Sequence, residues 1–237
     1  MLRDKKQWHY KMQSGQALVE TLIVMPLAAM LIFATIELSY AYRAKSTLNM
    51  ATFEAVRAGA LSNADKQKML DALSSGLVPL HIKKDTSYLG IALAKQKTRL
   101  YLSTMASLDI LSPTKSMFNK FSEEYFDLDL GRVVKAIPND NLNWRSSQLF
   151  DVQLDGELKK VNIQDANILK IKVRYCHPLI VPVLDKLIAT TIATFTLDSL
   201  AAQCNASGGL LSGSRYIVLE STALIRMQSP IFSAGLK

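Results

Sequence analysis

Hydrophobic positions divide the chain into one unbroken apolar run and a remainder in which apolar and polar residues alternate or recur at helical spacing. The run lies within Gly15–Tyr42, GQALVETLIVMPLAAMLIFATIELSYAY; residues 21–36 carry no charge, and Glu20 and Glu37 are the only charges between Ala17 and Tyr42. A helix needs about 20 mostly apolar residues to cross a bilayer, so the pattern predicts a single transmembrane helix over residues 16–42. Pro26 lies inside it and predicts a kink. Past Tyr42 the pattern stays helical through residue 62: there is no proline, and the first glycine is Gly59. Ala44, Ala51, Ala55 and Ala58 fall on one face, with Leu48, Thr52 and Val56 close to it. Such a small-residue stripe can pack against the chain's own folded domain or against a neighbouring helix.

Residues 63–237 read as one folded head. Asn63-Ala64-Asp65 breaks the first helix and can cap a second over residues 66–75, ended by Gly76, with Val78-Pro79-Leu80-His81 as a connector. Residues 90–110 read as a helix on Ile91, Leu93, Ala94, Leu100, Leu102, Met105 and Leu108, and Pro113 closes that region. Phe118, Phe121, Tyr125 and Phe126 form an aromatic cluster at near-helical spacing, expected in the core. Ile137-Pro138-Asn139-Asp140-Asn141 is a turn, and residues 139–167 read as loops with short extended pieces. The cleanest strand signal is Ile168–Tyr175, where Leu169, Ile171, Val173 and Tyr175 alternate with Lys170, Lys172 and Arg174. A second strand over Arg215–Arg226 is expected to pair with it antiparallel, with Glu220 near the lysines. Between them, Leu179–Gln203 reads as an insertion with helix; Pro178, Pro182, Asp185 and Lys186 argue against a second span. The glycine-serine runs at 207–209 and 212–214 read as linker. The fold class is therefore α+β: a long N-terminal transmembrane helix continuing into a head of helices and a small antiparallel sheet.

Charge changes this picture little. The net charge is +8, of which +3 falls in the first fifteen residues. The rest is scattered and lacks the clustered Lys/Arg surface of a nucleic-acid site, so no nucleic-acid partner is expected. Positive charge beside a span stays cytoplasmic, and Arg3, Lys5, Lys6 and Lys11 outnumber Arg43 and Lys45. This predicts the N-terminus inside and the head outside, in the periplasm of a cell with two membranes. Cys176 and Cys204 would then sit in an oxidising compartment, where a pair in one domain suggests a disulfide; two separate buried thiols are the alternative. His9, His81 and His177 show no metal spacing, and no hydrolase, zinc-protease or phosphate-loop motif occurs. No catalytic residue, metal or cofactor is expected, and His81 reads as structural.

Three readings fit residues 1–42. One is a secretory signal with a cleavage site after Ser39-Tyr40-Ala41. Another is an uncleaved anchor. The third joins Gly15 to Glu20: Gly15, then Gln16-Ala17-Leu18-Val19-Glu20, then an apolar helix, resembles the leader of type IV prepilins. That resemblance implies a cytoplasmic leader over residues 1–15, cut between Gly15 and Gln16 by a prepilin peptidase. It also implies an assembly role for Glu20, whose carboxylate lies one helical turn from the new amine. A carboxylate at the edge of an apolar helix is costly and normally functional. Ala17-Leu18-Val19-Glu20, Pro26, Ile36-Glu37 and Glu54-Ala55-Val56-Arg57-Ala58-Gly59-Ala60 narrow the likeness to the TadE/TadG-like minor pilins of tight-adherence systems. Thr21 departs from that pattern, which usually has an aromatic there. The resemblance implies a minor pilin or pseudopilin of the inner membrane, with other Tad pilins and the assembly platform as partners. A plain bitopic protein with a periplasmic binding or scaffolding domain is the alternative.

Overall fold

The computed structural model describes residues 8–82, 87–128, 131–154, 157–181, 202–205, 215–233 and 236, the side chains of 8–16 and 154 excepted. One helix, α1 (Trp8–Leu61), dominates it. It passes through Pro26 and is exposed along residues 17–40 except at Ala29 and Glu37. Its far end is a different surface: Ala44, Leu48, Ala51, Thr52, Ala55, Val56 and Ala60 are buried. Their three- and four-residue spacing makes one face. The small-residue stripe is thus used within the chain, against the head, although Ala58 is only half-buried.

The helix ends where the sequence breaks. Ala64 donates its N–H to the Gly59 carbonyl at 2.9 Å, and Asn63 sits at φ 58° in the left-handed region. This is the six-to-one closure that asparagine tolerates after a helix. Ala64, at φ 60° and fully buried, is strained by its Cβ. The corner is held from outside: Asn63 N donates to Ser229 Oγ, and Asn63 Nδ2 to the Pro230 carbonyl, each at 2.8 Å.

Asp65 then caps α2 (Lys66–His81), its carboxylate accepting from Gln67 N at 2.8 Å. α2 runs back along α1 and does not stop at Gly76; it continues through Pro79 to His81, so the expected connector at 78–81 is helix. The reason is packing. A Cβ on Gly76 would lie 2.7 Å from Ala51 Cβ and 2.8 Å from Ala51 Cα, so the glycine is the point of closest helix approach and not a terminator.

α3 (Tyr88–Met105) is shorter than the 90–110 helix expected from its apolar positions. Residues 106–112 are instead strand β1 (Ala106–Ser112). Ser107, Leu108, Asp109 and Ile110 alternate, with Leu108 and Ile110 buried, and the strand pairs antiparallel with β6 (Ile168–Pro178) from Ala106↔Tyr175 to Ser112↔Lys170. Helix propensity is a weak prior, and the pairing overrides it. The aromatic cluster also splits. Phe118 and Phe121 are buried on α4 (Lys115–Phe121), whereas Tyr125 and Phe126 lie on β2 (Glu123–Asp127), where Phe126 is exposed.

β2, β3 (Arg132–Ile137) and β8 (Ile231–Phe232) form one sheet in the order β2-β3-β8. The turn after Ile137 is present, with Asn141 at φ 52°. The region to 167 holds the hairpin of β4 (Phe150–Leu154) and β5 (Glu157–Val161) and the turn of helix α5 (Ile163–Ala166). The main sheet is β1-β6-β7, with β7 (Tyr216–Arg226) antiparallel to β6 over its whole length. Leu169, Ile171, Val173 and Tyr175 are buried on the core face shared with α1. On the opposite face Lys172 Nζ lies 2.9 Å from Glu220, and Arg174 pairs with Asp109 at 3.8 Å. The expected antiparallel pair and its cross-strand charges are both there. The bulk of the expected insertion and both glycine-serine runs lie outside the described residues.

Candidate functional site

The residues singled out by sequence fall in two places. Gly15 and Gln16 lie within α1, which begins ahead of them and passes through without a break. Glu20 is exposed on the same helix, among Leu18, Val19, Leu22 and Ile23, which are all exposed too. Thr21 turns its hydroxyl inward and donates to the Ala17 carbonyl at 2.8 Å. Ala17–Leu61 is the one helix among the described residues that is long and apolar enough to cross a membrane. Among the described residues, then, one N-terminal apolar helix is suited to a single-pass anchor.

The second place is the junction of α1 with the head. Cys176, near the end of β6, is joined to Cys204 by a disulfide. Both sulfurs are buried, in a small cluster with Met105 and Tyr216. Asn205, next in the chain, accepts from Tyr216 N at 3.0 Å, so the segment after Cys204 is tied to the start of β7. The bond therefore closes the base of the expected insertion.

Glu37 joins the two places; by sequence it is a charge at the end of the apolar run and part of the Ile36-Glu37 likeness to TadE/TadG-like proteins. Its side chain is buried, 3 % exposed, in a stretch of helix otherwise bare. One carboxylate oxygen accepts from Ile180 N at 3.1 Å, and the other from Val181 N at 2.9 Å. A buried charge is tolerated where hydrogen bonds satisfy it, and here backbone N–H groups just past β6 do so. The signal was available in principle, since a lone carboxylate in an apolar run demands a partner. The partner lies 143 residues on and could not be read from local pattern.

Beside this junction His81, at the end of α2, packs against the rings of Tyr101 and Tyr175 at 4.9 and 6.4 Å between centroids. Its Nε2 lies 3.2 Å from the Tyr175 hydroxyl, while Tyr101 donates to the Cys176 carbonyl at 2.8 Å. His81 is thus packed between α2, α3 and β6. Burial pushes both tyrosine hydroxyls far above their ordinary range. Burial also lowers His81, and His177 nearby lowers it further. His177 is lowered by burial as well, with Glu37 pulling the other way, and its Nε2 has no hydrogen-bond partner among the described residues.

The unfolded histidines take up protons near pH 6.5, whereas the folded ones resist until lower pH. Stability is therefore full above that value and falls as the pH drops below it. The melting temperature in detergent should fall between pH 7.5 and 5, and His81→Gln/His177→Gln should flatten that slope. A wild-type melt unchanged over this range contradicts the assignment.

Among the described residues no three His, Cys, Asp or Glu side chains lie together as metal ligands would. The arrangement offers an anchor, a tether and a staple.

No curated protein and no solved structure matches the chain. One family does, described as TadE-like protein, over residues 15–57. What is TadE-like in this protein is therefore α1 itself, from Gly15 through the span to the face that carries the head.

Proposed function

We propose that this protein is a membrane-anchored minor pilin or pseudopilin that contributes to assembly of a Tad-type adhesion pilus or secretion system. The observation that carries the reading is where the TadE-like match begins: at Gly15, the residue ahead of the apolar helix, with Glu20 exposed just inside it. On this reading a prepilin peptidase cuts between Gly15 and Gln16. Glu20 then faces the amine of a neighbouring subunit, and the head stands in the periplasm above the inner membrane. Other Tad pilins and the assembly platform are its partners, and its role is one of assembly and not of catalysis.

The test is the N-terminus of the protein isolated from native membranes. A chain starting at Gln16 is expected, and Gly15→Ala should leave the leader on and abolish its contribution to piliation. A chain that keeps Met1, with piliation unchanged in the variant, would instead mark a plain bitopic protein with a scaffolding head. A chain starting at Tyr42 would mark a secreted one.

A further inference from the structure

We infer that the head docks on the membrane through Ile180, just past β6, an apolar contact with lipid at the headgroup boundary that Glu37 holds in place. The inference rests on the reading that α1 spans a bilayer. Glu20 and Glu37 bracket its uncharged run. Glu37 lies seventeen positions after Glu20, a rise of about 26 Å at 1.5 Å per residue, close to the ~30 Å of a hydrocarbon core. Glu37 therefore marks the head-side edge of the lipid. Its carboxylate binds Ile180 N and Val181 N directly, so these residues lie within one hydrogen bond of that edge.

The segment suits such a place. Leu179 is buried against the head and fastened by its N–H to the Arg215 carbonyl at 2.9 Å, while Ile180 points outward at 56 % exposure. Phe33, Ile36, Leu38 and Tyr40 are exposed on α1 around the same level. An exposed isoleucine beside an exposed apolar helix presents one continuous greasy surface, and at that height its surroundings are lipid. The arrangement also explains why a carboxylate is kept there. At the edge of the lipid, where water is scarce, the N–H groups just past β6 still need an acceptor, and Glu37 supplies it. The contact thus ties the end of β6 to the side of the span, adding to the Ala44–Ala60 face of α1 that packs on the head. Leu38 and Ile180 would anchor it as interfacial side chains do, at a depth of about 5–10 Å.

The experiment uses the full chain in phosphatidylcholine vesicles, with Trp8→Phe and Trp144→Phe as background. Single tryptophans are placed by Ile180→Trp, Met30→Trp in the middle of the span and Leu128→Trp on an exposed turn of the head. Lipids brominated near the headgroup should quench the Ile180→Trp fluorescence at least about twofold more than lipids brominated deep in the chain. Lipid brominated deep in the chain should quench Met30→Trp more than lipid brominated near the headgroup, and neither should quench Leu128→Trp. Adding Glu37→Ala should abolish the quenching at 180 and leave that at 30. If Met30→Trp is quenched but Ile180→Trp behaves like Leu128→Trp, or if Glu37→Ala changes nothing, the docking inference is overturned while the span stands. If Met30→Trp is unquenched, the spanning helix itself is wrong.

Discussion

Replacing Cys176 and Cys204 together by serine should lower the stability of the folded head by about 3–4 kcal/mol. The bond closes a loop of 28 residues, and the chain-entropy account gives that amount for a loop of such length. The location makes the loss felt beyond the loop. Both sulfurs are buried with Met105 and Tyr216, and Tyr101 and Val218 pack on the cluster. Asn205 next to Cys204 holds Tyr216 at the start of β7, so freeing the base of the insertion also frees the end of the central strand pair. Thermal melts of the full chain in detergent, with and without reductant, measure the effect. Reductant should shift the wild type toward the double variant and leave the double variant unmoved. Equal melting temperatures for all four samples would remove the disulfide from the stability of the fold.

Gly76→Leu should cost about 3 kcal/mol, at the upper end of what overpacking usually costs. In an isolated helix any residue other than proline is favoured over glycine, by up to about 1 kcal/mol for alanine, so the sign here is decided by contact. The first side-chain atom at position 76 would meet Ala51 Cα, a backbone atom that can yield only if α1 and α2 move apart. Those helices share Leu48, Met69, Leu73 and Leu77 in one buried cluster, so separation opens the core. Gly59 provides the control. A Cβ there would meet Met69 Sδ at 2.6 Å, Met69 Cγ at 2.7 Å and Leu169 Cδ2 at 2.9 Å, side-chain atoms and no backbone. Methionine adapts its shape readily. Gly59→Ala should therefore change the melting temperature much less than Gly76→Ala, although both replace a helical glycine inside α1–α2 contacts. The reverse order would show that the close approach at Ala51 is not the constraint.

The two glycines show why local pattern misled at one of them. Gly76 has the composition of a helix stop, since glycine often follows a helix end. Whether it stops α2 depends on what lies across from it, and Ala51 is 25 residues upstream. The same holds for residues 106–112. Their alternation of Ser107, Leu108, Asp109 and Ile110 was present in the sequence, but the apolar positions of 91–105 ran on into it at helical spacing. Only the vacancy beside β6, filled by β1, selects the strand. Tyr125 and Phe126 left the aromatic cluster for a comparable reason, because β2 pairs with β3 immediately after α4 ends.

Where a signal is local and repeated, sequence was sufficient. The apolar run of α1 exceeds anything else in the chain, its alanine face recurs over four turns, and the corner at Asn63 and Asp65 is made from residues that tolerate or cap it. The alternation in β6 is long enough that a one-residue slip would place lysines in the core, so its buried face was legible, and with it the antiparallel partnership with β7. The TadE-like segment, residues 15–57, is also local: it is one helix. What tertiary structure alone decided is which distant groups complete these elements. It turned the alanine stripe inward, set Gly76 against Ala51, and placed His81 between two tyrosines. It also brought the Glu37 carboxylate to the N–H groups of Ile180 and Val181. Each is a pairing across a large separation in sequence. Such pairings are chosen by the shape and hydrogen-bonding capacity of surfaces that exist only once the chain has folded, and a buried carboxylate in a bare apolar helix has no other way to be satisfied.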